Sequence, residues 1–290
     1  MKKLALTYLI LASVLWGTSG IFVHFLAPFG FSSLQMTFLR ALVSAAALGI
    51  YILITNRSLF KANIKQLLLY IGSGVSFFLT ASSYYISMQA TTISTAVVLM
   101  YTAPIFVMIY SVAFLGERLT KTKTVAVVAM IAGCGLVSGI IGGLKFDLTG
   151  ILFGFLSGIS YSAYNIFTKI EMRKKCNPIS ATFYCFLTAV ILGAFICNIS
   201  SLPSAFAENL PVTVPLAIGL GIFTCVLPYF LYTLSLKVLP VGTASALGII
   251  EPMAATVFSV IIFREVLGIY SCLGIVLILG SVFLLSKSED

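Results

Sequence analysis

A glutamate beside a proline, in the middle of an apolar run, is the residue of this sequence best placed to do chemistry. Ile250-Glu251-Pro252 lies near the centre of the stretch 241–263. A carboxylate at that depth in hydrocarbon is costly and has to face protein or water. There it can hold a substrate ammonium group or carry a proton. The structural alternative is an ion pair or a capping contact beside the break at Pro252. Arg40 is the one cation inside an apolar stretch, 33–55. Its planar fork suits a carboxylate. A structural role, paired with Glu251 or with backbone carbonyls, is the simpler expectation for it.

Aromatic residues surround these two in depth. Trp16, Phe77, Tyr84, Tyr101, Tyr161, Tyr164, Tyr229 and Tyr232 all fall within apolar stretches. Deep tyrosines need hydrogen-bond partners. Tyr101, Tyr161 and Tyr229 suggest a polar-aromatic cavity, where a cation or amphipathic amine rests on ring faces. Asn165 follows Tyr161 by one helical turn, and a buried amide also needs partners. The expected substrate-binding set is Trp16, Tyr84, Tyr101, Tyr161, Asn165, Tyr229 and Glu251. Ser19, Ser76 and Thr80 read as small packing residues. His24, the single histidine, reads as interfacial rather than as a proton relay.

Pro104, Pro252 and Pro228 are mid-stretch. Each removes a backbone donor and frees the carbonyl four residues back, on Met100, Gly248 and Thr224. In lipid such carbonyls need a partner or a cavity. Pro104 and Pro252 form a matched pair, so a gating or helix-break role is expected for them. It is not expected for Pro228.

The elements that position these residues follow from composition. The chain has 290 residues, 60% hydrophobic and 9% charged, with mean hydropathy +1.13. Soluble domains carry about a quarter charged residues. An all-α integral membrane protein is implied. Spans of about 20 apolar residues are predicted near 4–25, 33–55, 66–88, 93–115, 124–143, 149–168, 178–199, 212–236, 241–263 and 267–286. The first is read as a retained span, not a cleaved signal.

The net charge of +9 orients the chain rather than recognising nucleic acid. With the N-terminus inside, fourteen basic residues fall on the inner side: Lys2, Lys3, Arg57, Lys61, Lys65, Arg118, Lys121, Lys123, Lys169, Arg173, Lys174, Lys175, Lys237 and Lys287. Lys145 and Arg264, two residues, fall outside. That bias puts both termini in the cytoplasm, with the plasma (inner) membrane as the expected location. Lys169 to Lys175 read as an inner-leaflet anchor. The six cysteines lack metal spacing and read as small apolar residues.

The chain also repeats itself. Thr95-Ala96-Val97 through Tyr101-Thr102-Ala103-Pro104 is echoed by Thr243-Ala244-Ser245 through Ile250-Glu251-Pro252. Each proline is followed thirteen residues later by a glutamate, Glu117 or Glu265. Gly72-x-Gly74 returns as Gly219-x-Gly221. Residues 1–143 and 144–290 are therefore two five-helix copies. An odd number of spans per copy inverts the second against the first, and inverted repeats with broken helices commonly build a midplane site. Gly135 and Gly139 give a small-residue packing face. It is too slight to imply an oligomer, and a monomer is expected.

Leu15-Trp16-Gly17, Phe38-Leu39-Arg40, Tyr101-x-x-Pro104, Leu115-Gly116-Glu117-Arg118-Leu119 and Ile250-Glu251-Pro252 resemble the EamA-type transporters of the drug/metabolite transporter superfamily. The resemblance spans both copies. It implies ten helices, an inside N-terminus, and export or exchange of small metabolites such as amino acids and amines. It also implies a central cavity between helices 1, 3, 4, 6, 8 and 9. The chain departs from the pattern at Phe263-Arg264-Glu265, where glycine often precedes the glutamate, and at Tyr161, where tryptophan is common.

A secondary transporter working by alternating access is thus the leading expectation, its partners being the bilayer, a small solute and a coupling proton. A passive channel is the alternative, but no ring of like charge marks a filter. An intramembrane enzyme is disfavoured, because one histidine and one mid-span carboxylate make no catalytic set. No cofactor is expected, and no phosphate-binding glycine loop is present.

Overall fold

The structure is a computed structural model that describes residues 2–91, 93–116, 118, 120–137, 147–264 and 268–289. Glu117, Lys145, Glu265 and Gly139, and the boundary between 143 and 144, lie outside the described residues. Helices and turns account for the described chain, with no strand among those residues. In chain order they are α1 (Lys2–Phe29), α2 (Ser33–Thr55), α3 (Ile64–Ala90) and α4 (Thr95–Leu115). Then follow α5 (Lys121–Val137), α6 (Leu148–Arg173), α7 (Pro178–Ile196), α8 (Leu210–Ser235), α9 (Val241–Phe263) and α10 (Ile269–Glu289). Eight of them are long and apolar enough to cross a membrane; α5 and α10 fall short of that measure over their described residues.

Local chemistry sets the helix ends. Ser32 with Gln35 and Asn63 with Gln66 form reciprocal capping boxes for α2 and α3. Asp147 accepts from the Gly150 amide at the start of α6, and Asn177 caps α7 ahead of Pro178. Gly116 ends α4 in the left-handed region at φ 67°. Arg264 ends α9 in the same conformation at φ 55°. So Arg264 adopts the geometry that Gly116 has at the end of α4, at a cost of about 1 kcal/mol.

The helices pack in an exchanged pattern. α1 lies against α8 and α9, while α6 lies against α3 and α4. α3 packs on α7, and α8 on α2. Glycines permit the closest approaches. A Cβ on Gly17 would stand 2.8 Å from the Ala254 Cβ and 2.9 Å from the Ala255 nitrogen, so α1 meets α9 backbone to backbone. Gly158 does the same for α6 and α4, 2.9 Å from the Leu99 carbonyl. α5 and α10 also meet closely: Gly133 and Gly274 each approach the other's carbonyl.

Both ends of the bundle are tied. Where α2 turns into α3, the Leu59 carbonyl accepts from Ser180 at 2.7 Å and the Phe60 carbonyl from Tyr184 at 2.6 Å. At this same basic end the structure corrects two expectations. α6 runs to Arg173, past the expected limit near 168. Lys169 is buried and donates to the carbonyls of Leu236 and Leu239, and Arg173 donates to the Leu115 carbonyl at 2.7 Å. Two members of the expected lipid anchor therefore tie α6 to α4 and to the α8–α9 turn, because those carbonyls have no partner further along their own helices. At the far end Gln35 donates to the Asn198 carbonyl and to Ser201, each at 2.7 Å. This holds a short helix, Leu202–Ala207, over α2.

Gly17→Val is expected to force α1 from α9 and lower stability by about 1–3 kcal/mol, the cost of overpacking. Gly280→Ala, with nothing within 4 Å of its Cβ, should leave it unchanged. Thermal unfolding in detergent compares them. Equal melting would contradict the close approach.

Candidate functional site: a polar-aromatic cavity at the helix breaks

Three helices are interrupted near their middles. α1 breaks at Thr18, whose hydroxyl donates to Leu15 O at 2.7 Å. α4 breaks at Tyr101–Thr102, and α9 at Gly248–Ile249. Pro104 and Pro252 sit in the first turns after these last two breaks. The carbonyls they free are handled differently. Gly248 O accepts the Glu251 amide at 3.0 Å, tightening the chain locally. Met100 O faces Gly158 of α6, where a Cβ would stand 3.3 Å away. Pro228 follows a π-helical stretch, Ile222–Val226, in α8, a common device for absorbing a missing donor.

The breaks of α4 and α9 are joined. Tyr101 donates its phenol proton to Glu251 Oε2 at 2.7 Å. Glu251 lies in the first turn of the helix segment that starts at Ile250, where the helix dipole favours negative charge. Both residues line a cavity of about 580 Å³. Its wall also carries Trp16, Arg40, Phe77, Tyr84, Tyr161, Tyr164, Tyr229 and Pro252. Of the expected substrate-binding set, all but Asn165 face this space. Arg40 and Pro252 face it as well, and Pro104 is buried in α4.

Asn165 is fully buried. It accepts from the Tyr232 hydroxyl and donates to Ser245 at 3.2 Å, so it bridges α6, α8 and α9 outside the cavity lining. Tyr161 reaches the break of α9: a Cβ on Gly248 would stand 3.1 Å from its hydroxyl. Trp16 meets Tyr229 edge-on at 5.0 Å, and its indole nitrogen has no partner.

For Arg40, expected to pair with Glu251 or with backbone carbonyls, the close neighbour is an aromatic ring. The guanidinium sits over the Phe77 ring, 5.4 Å from the centroid, and its Nε is unpartnered. The ring face satisfies the cation while Tyr101 takes up Glu251. One acid and one base thus share a cavity without neutralising each other at contact distance.

Ser19 and Thr80, read as packing residues, line the cavity, and Ser76 does not. Thr37 and Thr256, which the sequence reading passed over, line it too. Their hydroxyls donate to carbonyls four residues back, which is how such residues hide in apolar helices. His24 is exposed beside Phe263, at 4.3 Å between centroids, and is absent from the lining of this cavity. Glu171 was passed over because span six was ended too early. Its place seven residues after Tyr164 put it on one helix face with a cavity residue.

The lining has a direction. Ser33, Met36 and Thr37 open α2, and Tyr85 and Met88 close α3, at the end away from the basic ties. The cavity therefore extends toward the far end.

A bundle of apolar helices around such a space is a small-solute transporter's architecture, and the comparisons agree. The EamA-like transporter family matches residues 3–139 and 148–287, and the chain belongs to that family as a multi-pass membrane protein. An uncharacterized transporter of Archaeoglobus fulgidus is 31% identical over 276 residues, spanning 95% of this chain and 94% of its own. The uncharacterized transporter YwfM of Bacillus subtilis (strain 168) is 25% identical, over 97% of this chain and 93% of its own. A crystal structure with 18% sequence identity shares the fold, with a TM-score of 0.80 over 97% of this chain and 95% of that one.

Tyr101→Phe deletes only the hydroxyl that joins the two breaks. It is expected to cost about 1–3 kcal/mol of stability, the price of an unsatisfied buried acceptor. Thermal unfolding of the purified variant measures this, and an unchanged midpoint would show that the bond is dispensable.

Proposed function

We propose that this protein is a secondary transporter, an exporter or exchanger of small zwitterionic or amine metabolites, with amino acids the leading class. The observation that carries this reading is an unpaired acid and base, Glu251 and Arg40, in one ring-lined cavity. A carboxylate fits the guanidinium, an ammonium group fits Glu251, and an apolar side chain fits the rings. The volume of about 580 Å³ suits a solute of that size.

Alternating access is supported by the exchanged packing of the two halves and by the matched breaks of α4 and α9. In this reading the ten helices form two inverted five-helix repeats. The basic end lies in the cytoplasm with both termini. The ties made by Lys169, Arg173, Ser180 and Tyr184 belong to a state open to the outside. The same ties disfavour a passive channel, which would need both ends open at once.

Counterflow into proteoliposomes, with a panel of amino acids and their decarboxylated amines, tests the reading. Saturable exchange of at least one amino acid is expected. Arg40→Gln should weaken exchange of the amino acid by tenfold or more, about 1.4 kcal/mol, and spare the amine. Glu251→Gln should weaken both. Equal effects of Arg40→Gln on the two solutes would contradict the assigned polarity, and no saturable exchange of any of them would remove the substrate class.

A further inference from the structure

Glu171 is a second carboxyl buried in the bundle, and the transport reading does not use it. It is 1% exposed, on the part of α6 nearest the basic end. Its Oε1 has no hydrogen-bond partner. Among the described residues no lysine, arginine or histidine is paired with it. The cations on its own helix are directed elsewhere, Lys169 to the carbonyls of Leu236 and Leu239, and Arg173 to that of Leu115.

The groups that face the acid are acceptors or neutral donors. Ser73 of α3 is the nearest polar side chain, yet its hydroxyl proton goes to the Tyr70 carbonyl at 2.9 Å. Ser73 therefore offers the carboxyl at most one neutral hydroxyl, which it shares with that carbonyl. A carboxylate so buried, with one oxygen unpartnered and no cation beside it, is costly, and a proton on it removes that cost. The titratable neighbours are Tyr70 on α3, Cys185 on α7 and, beyond Tyr70, Tyr184 and Cys176; none is a cation. Tyr70 is held by stacking on Tyr184, with ring centroids at 5.6 Å.

The position of the acid gives it a use. Tyr164, Thr168 and Glu171 follow one face of α6 at i, i+4 and i+7. Tyr164 lines the cavity. Cys185 of α7 is buried close enough to feel both Tyr164 and Glu171. A file of polar groups thus leads from the cavity wall to the acid, between α3, α6 and α7, at the end that is shut.

We propose that Glu171 is a proton-binding site, loaded while the basic end is closed and emptied when α3, α6 and α7 part there. This rests on the alternating-access reading. The proton leaves the carboxyl oxygen for water admitted by the opening, and the carboxylate, costly to bury unpaired, holds that end open until it is reprotonated. Opening that end thus releases one proton to the water there and closing it takes one up, so raising the pH on that side favours the open state.

Two measurements on the full-length protein test it, and neither needs a transported solute, so a negative counterflow result and a negative result here are separate. Infrared titration of the Glu251→Gln protein is expected to show the carbonyl band of a protonated carboxylic acid at neutral pH. The band should vanish on adding Glu171→Gln. Its absence from the single variant, or its survival in the double one, overturns the assignment. Hydrogen exchange over residues 64–76 and 176–186 is then compared between wild type and Glu171→Gln as pH rises. The intrinsic chemistry cancels, and the ratio of rates should climb by up to about tenfold per pH unit. A ratio that stays at one overturns the coupling. So does a Glu171→Gln protein that fails to fold, because the amide matches the neutral acid in size and charge.

Discussion

The bond between Tyr101 and Glu251 is the constraint around which this bundle is arranged. A carboxyl at the middle of an apolar helix has to be partnered or faced by water. Here it has both a phenol and a cavity. To place them there, α4 and α9 must each stop and restart at one level, and they do so at Tyr101–Thr102 and Gly248–Ile249. The restart after Gly248 puts Glu251 in a first helical turn, where the amide dipoles favour it. The glycines follow from the same demand. Gly17 brings α1 onto α9 just past Glu251, and Gly158 brings α6 onto the loosened carbonyls of α4.

Arg40 completes the arrangement by staying apart. Stacked over Phe77, it has a partner of its own and leaves Glu251 to Tyr101. An ion pair between them would have satisfied both groups, and in the transport reading it would leave neither free for a solute. Buried pairs gain little stability in any case, because desolvation offsets the attraction. The acid and the base, each held by an aromatic group, both line the cavity.

Much of this was legible from residue types and spacing. The depth of Glu251 and the run of aromatic residues pointed to the acid of the cavity wall and to much of its aromatic lining. What escaped had physical causes. For Arg40 the sequence left Glu251 and backbone carbonyls open as partners, because depth does not report which wall a helix presents. Asn165 shares a face with Tyr161 yet ends between Tyr232 and Ser245, since a buried amide goes wherever its hydrogen bonds can be met. Lys169 looked like a lipid anchor, and its long apolar stem instead carried the charge inward to helix-end carbonyls. That misreading also shortened α6 and hid Glu171. The break in α1 at Thr18 has no proline to announce it, and its signal is confined to Trp16-Gly17-Thr18.

The central claim is that one cavity, now shut at the basic end, opens there by parting α6 from the α8–α9 turn. Spin labels at Lys174 and Val238, both exposed at that end, report the separation directly by pulsed electron resonance in lipid bilayers. The expected result is two distance populations, the longer one depleted when Lys169 is kept and enriched in Lys169→Met, which cannot tie the turn. A single distance, unchanged by Lys169→Met, would contradict the account.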